Sequence, residues 1–288
     1  MEQSLNLKEK YIVIIKKIRE NPLNQRYPRS IKKEVMKNFT IAVTGKGGVG
    51  KTTVSGLIVS RLIALGKTPV LAVDADPNTC LDEVLGVKAE VSIGGVREEA
   101  RKIASKGLSV GISKQELLEM KIAESLVEAD DFDLMAMGRP EGAGCYCFAN
   151  NVLKQAIGTI AENYPFVMLD NEAGLENLSR RIVHEVDILI LVADPSKRGL
   201  DTAKRLHEMT EEMDIKYHKL VLLVNRMRKD EVASYVEEVK TAINADLILA
   251  LPDDEELAEI AENGKSIFEV SDENKVVQKI DKFIKNNV

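Results

Sequence analysis

The sequence predicts an α/β fold in which a mainly parallel, doubly wound sheet carries helices on both faces. Two observations predict it: short apolar runs recur along the chain, and longer amphipathic stretches separate them. Each run is apolar at consecutive positions, as expected for a strand that is buried on both faces. Because strands alternate with helices, right-handed crossovers and parallel neighbours are expected.

The predicted elements follow one another without an internal repeat, so the body of the chain is predicted to be one domain. The predicted strands are Phe39–Thr44, Pro69–Val73, Leu134–Met137, Phe166–Leu169, Ile188–Ala193, Leu220–Val224 and Leu247–Leu251. The predicted helices are Lys51–Leu65, Val152–Glu162, Leu200–Met213 and Glu231–Ile243. Near the C-terminus, one helical face is apolar and carries Val276, Val277, Ile280, Phe283 and Ile284.

Composition excludes several classes of protein. The 288 residues are 44% hydrophobic and 30% charged, which supports a large folded core and excludes general disorder. Every apolar run is shorter than the ~18–20 residues that cross a bilayer, so no membrane span is predicted. Three cysteines are too few to staple a chain of this size, which indicates a reducing compartment and a cytoplasmic protein.

A phosphate-binding loop directly follows the first predicted strand. The pattern G-x-x-x-x-G-K-[ST] and the next threonine are matched by Gly45, Lys46, Gly47, Gly48, Val49, Gly50, Lys51, Thr52 and Thr53. The glycines let backbone amides approach phosphate oxygens, and the following helix adds further donors. Lys51 is predicted to contact the β- and γ-phosphates, and the Thr52 hydroxyl to bind Mg²⁺. A chance match is expected about once in a hundred such chains.

Charge divides the chain into two parts. Residues 1–35 carry nine Lys or Arg and four Glu, so their net charge is +5 and that of the remainder is −11. An acidic body argues against general nucleic-acid binding, and neither a nucleic-acid nor a membrane partner is expected. Residues 36–288 are predicted to form a nucleotide-binding P-loop domain. For residues 1–35 two interpretations stay open: a basic N-terminal extension, disordered or helical, or translation that begins at Met36.

Carboxylates follow two of the predicted strands. Asp74 and Asp76 come after the second strand, and Asp170 follows Leu169. Proteins of the α/β class place their ligands at this edge of the sheet. Asp170 is predicted to hold Mg²⁺ through a water molecule, and Asp76 to position the attacking water. The alternative is that Asp74 and Asp76 cap the following helix, and for Asp74 both interpretations stay open.

Two further residues are candidates for nucleotide contacts. Gly174 follows Asp170 closely and would let the backbone approach the γ-phosphate. Asn225 follows the predicted strand Leu220–Val224, and its amide could read the edge of adenine. A buried amide or a helix cap would give the same sequence pattern. These structural roles therefore stay open as alternatives to nucleotide contacts.

Cys145 and Cys147 form a C-x-C pair after a glycine-rich stretch. Two thiolates can share a soft metal ion, but they supply only half of a tetrahedral site. One pair from each subunit of a symmetric dimer would complete four ligands on the two-fold axis. The alternative is a pair of small buried side chains, which the preceding glycines disfavour. Cys80 stands alone and is interpreted as a packed residue.

Lys46 is a second lysine within the loop, and the loop resembles the deviant form K-G-G-x-G-K-[ST]-T of the MinD/ParA/nitrogenase-iron-protein group of P-loop ATPases. This resemblance implies a P-loop NTPase fold and an ATP-dependent homodimer in which Lys46 reaches the partner's nucleotide. The D-x-D-P segment that ends at Pro77 is similar to the group's switch I, which implies catalysis by Asp76. Pro252 and Asp253 resemble the group's loop around the base.

Two longer segments carry a narrower resemblance. Met137–Cys147 reads M-G-R-P-E-G-A-G-C-Y-C, and Leu169–Glu176 reads L-D-N-E-A-G-L-E. Both resemble the CooC-type ATPases that mature carbon monoxide dehydrogenase, and the similarity runs from Met36 to Phe268. It implies that Cys145 and Cys147 bind Ni²⁺ or Zn²⁺. It also implies nickel insertion into a client, either carbon monoxide dehydrogenase or an acetyl-CoA synthase complex.

Two other functions stay open. A positioning ATPase of the MinD or ParA type would bind membrane or DNA, and the apolar face within residues 276–284 could lie on an anionic membrane. That function leaves the cysteine pair unexplained. An iron–sulfur carrier ATPase of the Mrp type also uses cysteines at a dimer axis, but at C-x-x-C spacing or widely separated.

Overall fold

The computed structural model describes residues 38–76, 78, 80–96, 122–123, 125–138, 158, 160–171, 185–229 and 233–288. Three predicted site residues, Gly174, Cys145 and Cys147, lie outside this part of the chain. Residues 1–35 also lie outside it, so the division into 1–35 and 36–288 stays a prediction.

The described strands are β1 Phe39–Gly45, β2 Val70–Asp74, β3 Val127–Glu128, β4 Phe132–Ala136, β5 Phe166–Asp170, β6 Glu185–Ala193, β7 Lys216–Met227 and β8 Leu247–Pro252. The helices are α1 Lys51–Ala64, α2 Leu81–Leu85, α3 Lys197–Glu212, α4 Ser234–Ala242, α5 Glu255–Glu262 and α6 Lys275–Asn287, with a 3₁₀ turn at Ile267–Glu269. Helix α3 begins earlier than predicted because the Ser196 side chain accepts the amide of Gly199 and caps it.

The strands form one sheet in the order β3-β4-β2-β5-β1-β6-β7-β8. Every neighbouring pair is parallel except β3 and β4, so the predicted fold class is confirmed. Val43 of β1 and Asp74 of β2 both lie opposite Asp170 of β5. The loop after β1 and the carboxylates of β2 and β5 therefore meet at one edge of the sheet. Strand β3 was not predicted, because two residues are too few to show a pattern.

Helices cover both faces of the sheet. Ile41 and Val43 of β1 belong to the core that α1 and α6 cover, whereas Ala42 belongs to the core beneath α3 and α4. Side chains alternate between the two faces along a strand. Both faces are buried here, and this is why the strands read as continuous apolar runs in the sequence.

Helix α6 packs on its own domain. Asn274 caps it by accepting the amides of Val276 and Val277. The apolar face is buried in the core and consists of Val276, Val277, Ile280, Phe283 and Ile284. Arg61 of α1 donates from Nε to Asp281 at 2.7 Å, which fixes the two helices to each other. Within the described residues no helix is both long and apolar enough to span a bilayer.

A buried carboxylate lies near the amino end of β4. Asp133 is fully buried, and the Tyr164 hydroxyl donates to its Oδ2. Among the described residues its Oδ1 has no hydrogen-bond partner. Burial raises the pKa of Asp133 from 3.8 to about 6, although the bond from Tyr164 lowers it. Because the folded-state pKa lies above the unfolded-state pKa of 3.8, the protonated carboxyl contributes fully to stability below pH 3.8. This contribution is lost as the pH rises through about 6.

Asp133→Asn should remove this titration. Between about pH 4.5 and 7.5 we expect the free energy of unfolding of the variant to rise relative to wild type by on the order of 2 kcal/mol. Urea unfolding over this pH range measures the difference. Tyr164→Phe is the companion variant, since loss of the donor should raise the pKa of Asp133 further and extend the loss of stability to higher pH. Parallel stability curves for wild type and Asp133→Asn would contradict the assignment.

Candidate functional site

The phosphate loop lies between β1 and α1 and packs against the ends of two neighbouring strands. A Cβ at Gly45 would lie 2.3 Å from the carbonyl oxygen of Val192 in β6. Gly50 has a φ of 91°, and a Cβ there would lie 2.6 Å from Nδ2 of Asn225 in β7. Gly45 is thus required by close packing, and Gly50 by close packing together with a left-handed backbone.

The two loop lysines have different environments. Lys51 is the first residue of α1, is 8% exposed, and donates from Nζ to the carbonyl oxygen of Lys46 at 3.2 Å. This contact holds the ammonium group across the loop, as the predicted phosphate contact requires. The Lys46 side chain is exposed. The exposed Lys46 side chain can extend from the surface, whereas the Lys51 ammonium group is held by a hydrogen bond within its own loop.

A cluster of oxygen atoms lies beneath the loop. Asp170 is 1% exposed, its Oδ1 accepts the Ser55 hydroxyl at 3.0 Å, and its carboxylate also accepts the Thr52 hydroxyl. Burial raises the pKa of Asp170 to about 7, and the charge of Asp74 adds to the effect, while Thr52, Ser55 and Lys51 oppose it. A hard divalent cation prefers such oxygen ligands and would supply the missing positive charge, so the residues fit Mg²⁺.

Asp74 caps a helix. It is fully buried, and its Oδ2 accepts the amides of Cys80 and Leu81, each at 2.9 Å, at the start of α2. Its Oδ1 accepts the amide of Asp76 at 2.9 Å. Burial raises the pKa of Asp74, and the three amide bonds oppose this. Of the two interpretations left open, these contacts favour the cap.

Asp76 lies at the carboxyl edge and is partly exposed, with Oδ1 accepting the amide of Asn78 at 2.8 Å. Its position beside the phosphate loop is compatible with the predicted role in orienting water, which stays a prediction.

The interpretation of Cys80 as a packed residue is wrong, because its side chain is exposed. The amide of Cys80 is held by Asp74, and this places the residue at the surface where α2 begins.

Strand β7 brings Asn225 to the phosphate loop. The Asn225 Nδ2 donates to the carbonyl oxygen of Val49 at 2.9 Å, and its Oδ1 accepts the amide of Arg226 at 3.0 Å. Both ends of the Asn225 amide thus already have a backbone partner. Adenine reading by Asn225 stays a prediction. Pro252 ends β8, and the amide of exposed Asp253 donates to the carbonyl oxygen of Met227 at 2.9 Å. These two residues therefore lie beside the end of β7.

Sequence reasoning missed three residues at this edge. Ser55 lies one helical turn after Thr52 and bonds Asp170, a spacing that could have indicated it. Asn171 is 2% exposed and donates from Nδ2 to the carbonyl oxygen of Val43 at 2.9 Å. Arg226 contacts the phosphate loop, and nothing in its local sequence distinguishes it from other exposed arginines.

The predicted soft-metal site is outside the described part of the chain. Within the described residues no group of three or more His, Cys, Asp or Glu could hold a metal ion. Cys145, Cys147 and Gly174 belong to segments of which the structure says nothing. Their predicted roles stay predictions.

Comparisons with known proteins agree with this geometry. A family described as the CobQ/CobB/MinD/ParA nucleotide binding domain matches residues 40–267. An uncharacterized ATP-binding protein of Methanocaldococcus jannaschii is 41% identical over 242 residues, 84% of this chain and 95% of that protein. The carbon monoxide dehydrogenase accessory protein CooC of Rhodospirillum rubrum is 28% identical over 243 residues, 80% of this chain and 90% of that protein.

A solved structure extends the comparison to the fold. The septum site-determining protein MinD of Pyrococcus horikoshii, complexed with Mg-ADP, has a TM-score of 0.60 at 19% identity, covering 87% of this chain and 96% of that one. Its identity is too low to carry more than the α/β architecture. The family match, in contrast, spans the phosphate loop, the carboxylates and strands β1 to β8. The chain therefore belongs to the CobQ/CobB/MinD/ParA nucleotide binding domain family and is a nucleotide-binding P-loop protein.

Proposed function

We propose that this protein is an ATPase that acts as a homodimer and supports nickel insertion into carbon monoxide dehydrogenase or an acetyl-CoA synthase complex. The observation that carries the ATPase part is the pairing of buried Lys51 with the Thr52–Ser55–Asp170 cluster at one end of the phosphate loop. The nickel part is supported by the C-x-C pair at Cys145 and Cys147 and by the similarity to CooC of Rhodospirillum rubrum.

ATP binding follows from the loop. Its amides and the start of α1 bind the phosphates, and Lys51 neutralises the charge that grows on them during transfer. The Thr52 hydroxyl would ligate Mg²⁺ directly, and Asp170 would hold it through water. When bound, Mg²⁺ supplies positive charge to the β- and γ-phosphate oxygens. Asn225, Pro252 and Asp253 are the proposed contacts of the base.

Hydrolysis requires a water molecule in line with the γ-phosphate. Asp76 is the proposed residue that orients it, because its carboxylate is partly exposed at the carboxyl edge and is held by the amide of Asn78. The water oxygen forms a bond to the γ-phosphorus, the bond to the β-phosphate oxygen breaks, and ADP leaves. The water proton passes to the released phosphate or to Asp76.

Dimerisation would couple hydrolysis to the metal. Lys46 is exposed at the loop and could reach the partner's nucleotide. Closure around two ATP molecules would then bring Cys145 and Cys147 of both subunits to the two-fold axis. Four thiolates suit Ni²⁺ or Zn²⁺, which in this proposal is the cargo of the protein.

The alternatives have less support. In a membrane-positioning ATPase of the MinD type, the apolar face of α6 would bind lipid, but this face is buried against α1 and β8. A carrier of the Mrp type would bind an iron–sulfur cluster through C-x-x-C or separated cysteines, and this chain has C-x-C. The maturation ATPase is the function that uses both the loop and a cysteine pair at C-x-C spacing.

Asp76→Asn tests the ATPase cycle. Asparagine can still accept the amide of Asn78, so the loop should keep its shape, but the charge that orients water is lost. We expect ATP binding to be retained and turnover to fall about a hundredfold. ATP should then hold the variant as a dimer, measured by light scattering after gel filtration. Asp130→Asn, at an exposed turn on the opposite edge of the sheet, is the control. Wild-type turnover by Asp76→Asn would refute the proposed role.

A further inference from the structure

We infer that the end of strand β7 is a clamp that orients the phosphate loop, with Asn225 and Arg226 as positioning residues. The inference deepens the proposed function, since it concerns how the same loop binds a nucleoside triphosphate. Asn225 Nδ2 donates to the carbonyl oxygen of Val49 at 2.9 Å, and Arg226 Nη1 to that of Gly48 at 3.4 Å. Two consecutive loop carbonyls are thus held toward β7.

The orientation of these carbonyls fixes the orientation of loop amides. In a planar trans peptide the C=O and the N–H of the next residue point in opposite directions. With the carbonyl groups of Gly48 and Val49 directed at β7, the amides of Val49 and Gly50 point away from β7, into the loop. Amides that converge in this way form the anion-binding concavity of a phosphate loop. The clamp therefore acts on phosphate binding without touching phosphate.

A bulge in β7 makes the clamp possible. Consecutive side chains of a regular strand point to opposite faces, so Asn225 and Arg226 could not both reach the loop. The register between β7 and β8 shifts between Val224 and Met227, and Arg226 adopts a left-handed φ of 57°. Such a φ is unfavourable for arginine. The Asn225 Oδ1 accepts the amide of Arg226 at 3.0 Å and stabilises this turn.

The fit is reciprocal. A Cβ at Gly50 would lie 2.6 Å from the Asn225 Nδ2, so the loop approaches β7 as closely as a glycine allows. Beyond the bulge, the carbonyl oxygen of Met227 accepts the amide of Asp253 at 2.9 Å. The same short segment therefore positions both the phosphate loop and the loop after β8 that is proposed to surround the base.

Asn225→Ala distinguishes positioning from base reading. Equilibrium binding is measured with Mg·ATP and with Mg·ITP. The base of ITP lacks the 6-amino group of adenine, which could donate a hydrogen bond to a side-chain amide oxygen. If Asn225 orients the loop, both affinities should fall by the same factor, about tenfold. A loss for ATP with ITP binding unchanged would overturn the clamp in favour of adenine reading, and unchanged affinity for both would overturn it as well.

Arg226→Gly keeps the test valid if Asn225→Ala fails to fold. Glycine accepts the left-handed φ, so the thermal midpoint should stay the same or rise, while the affinity for both nucleotides should fall severalfold. Arg228→Gly is the matched control, because Arg228 is exposed two residues later and carries the same charge. Equal affinities for the Arg226 and Arg228 variants would refute the clamp. Failure of the wild-type protein to bind either nucleotide would instead refute the proposed function.

Discussion

Lys51→Ala is expected to weaken ATP binding at least about a hundredfold. Lys51 is the one loop cation that the structure holds inside the site: it is 8% exposed, and Nζ is fixed on the carbonyl oxygen of Lys46 at 3.2 Å. Its removal leaves the phosphates without a buried positive charge, which loop amides alone do not replace. Isothermal titration with ATP and Mg²⁺ measures the loss.

Lys46→Ala is the matched control for this experiment. It lies in the same loop and carries the same charge, but its side chain is exposed. We expect this variant to bind ATP with nearly wild-type affinity and to lose turnover, because its proposed contact is with the partner's nucleotide. Equal losses of affinity in the two variants would show that the loop charges act together rather than in separate roles. Wild-type affinity for Lys51→Ala would refute the site.

Replacement of both Cys145 and Cys147 by serine is expected to abolish stoichiometric binding of Ni²⁺ or Zn²⁺. A hydroxyl is a poor ligand for soft metals, and no described group of side chains could take over. Wild type should bind one ion per dimer, and the affinity should fall at low pH as the thiolates are protonated. Metal analysis after gel filtration, with ADP or ATP present, gives the stoichiometry.

Cys80→Ser serves as the control, because Cys80 is the exposed cysteine of the described chain and lies near the nucleotide edge. It should bind metal as the wild type does. ATP binding should be unchanged in the double variant, which separates the metal site from the phosphate loop. Tight metal binding that survives in the double variant would remove the metal-carrier part of the proposed function and leave the ATPase part standing.

The fold class and the phosphate loop could both be predicted from the sequence alone. The loop could be read because its residues are contiguous, and because a strand, a glycine turn and a helix N-terminus follow one another along the chain. The strand ends at Asp74 and Asp170 were predictable for a related reason. Carboxyl ends of parallel strands share one edge, so a position in sequence translates into a position in the site.

Contacts between residues that are distant in sequence could be identified only in the folded chain. Ser55 and Asp170 are 115 residues apart, and Asn225 and Val49 are 176 apart, so no local pattern records either contact. The helical periodicity predicted the apolar face of α6, but such a face could pack either on a lipid surface or on a protein core. The packing of that face on the domain selected the core.

Asp74, Cys80 and Arg226 show the same limit at the level of single residues. A carboxylate, a thiol and a guanidinium each have several possible partners, and which one is present depends on burial and on backbone direction. The cap made by Asp74 and the exposure of Cys80 arise where α2 begins after β2, whereas the left-handed φ of Arg226 arises at the β7 bulge. Sequence specifies chemistry through residue type and spacing, whereas the contacts that direct this chemistry depend on chain segments brought together by folding.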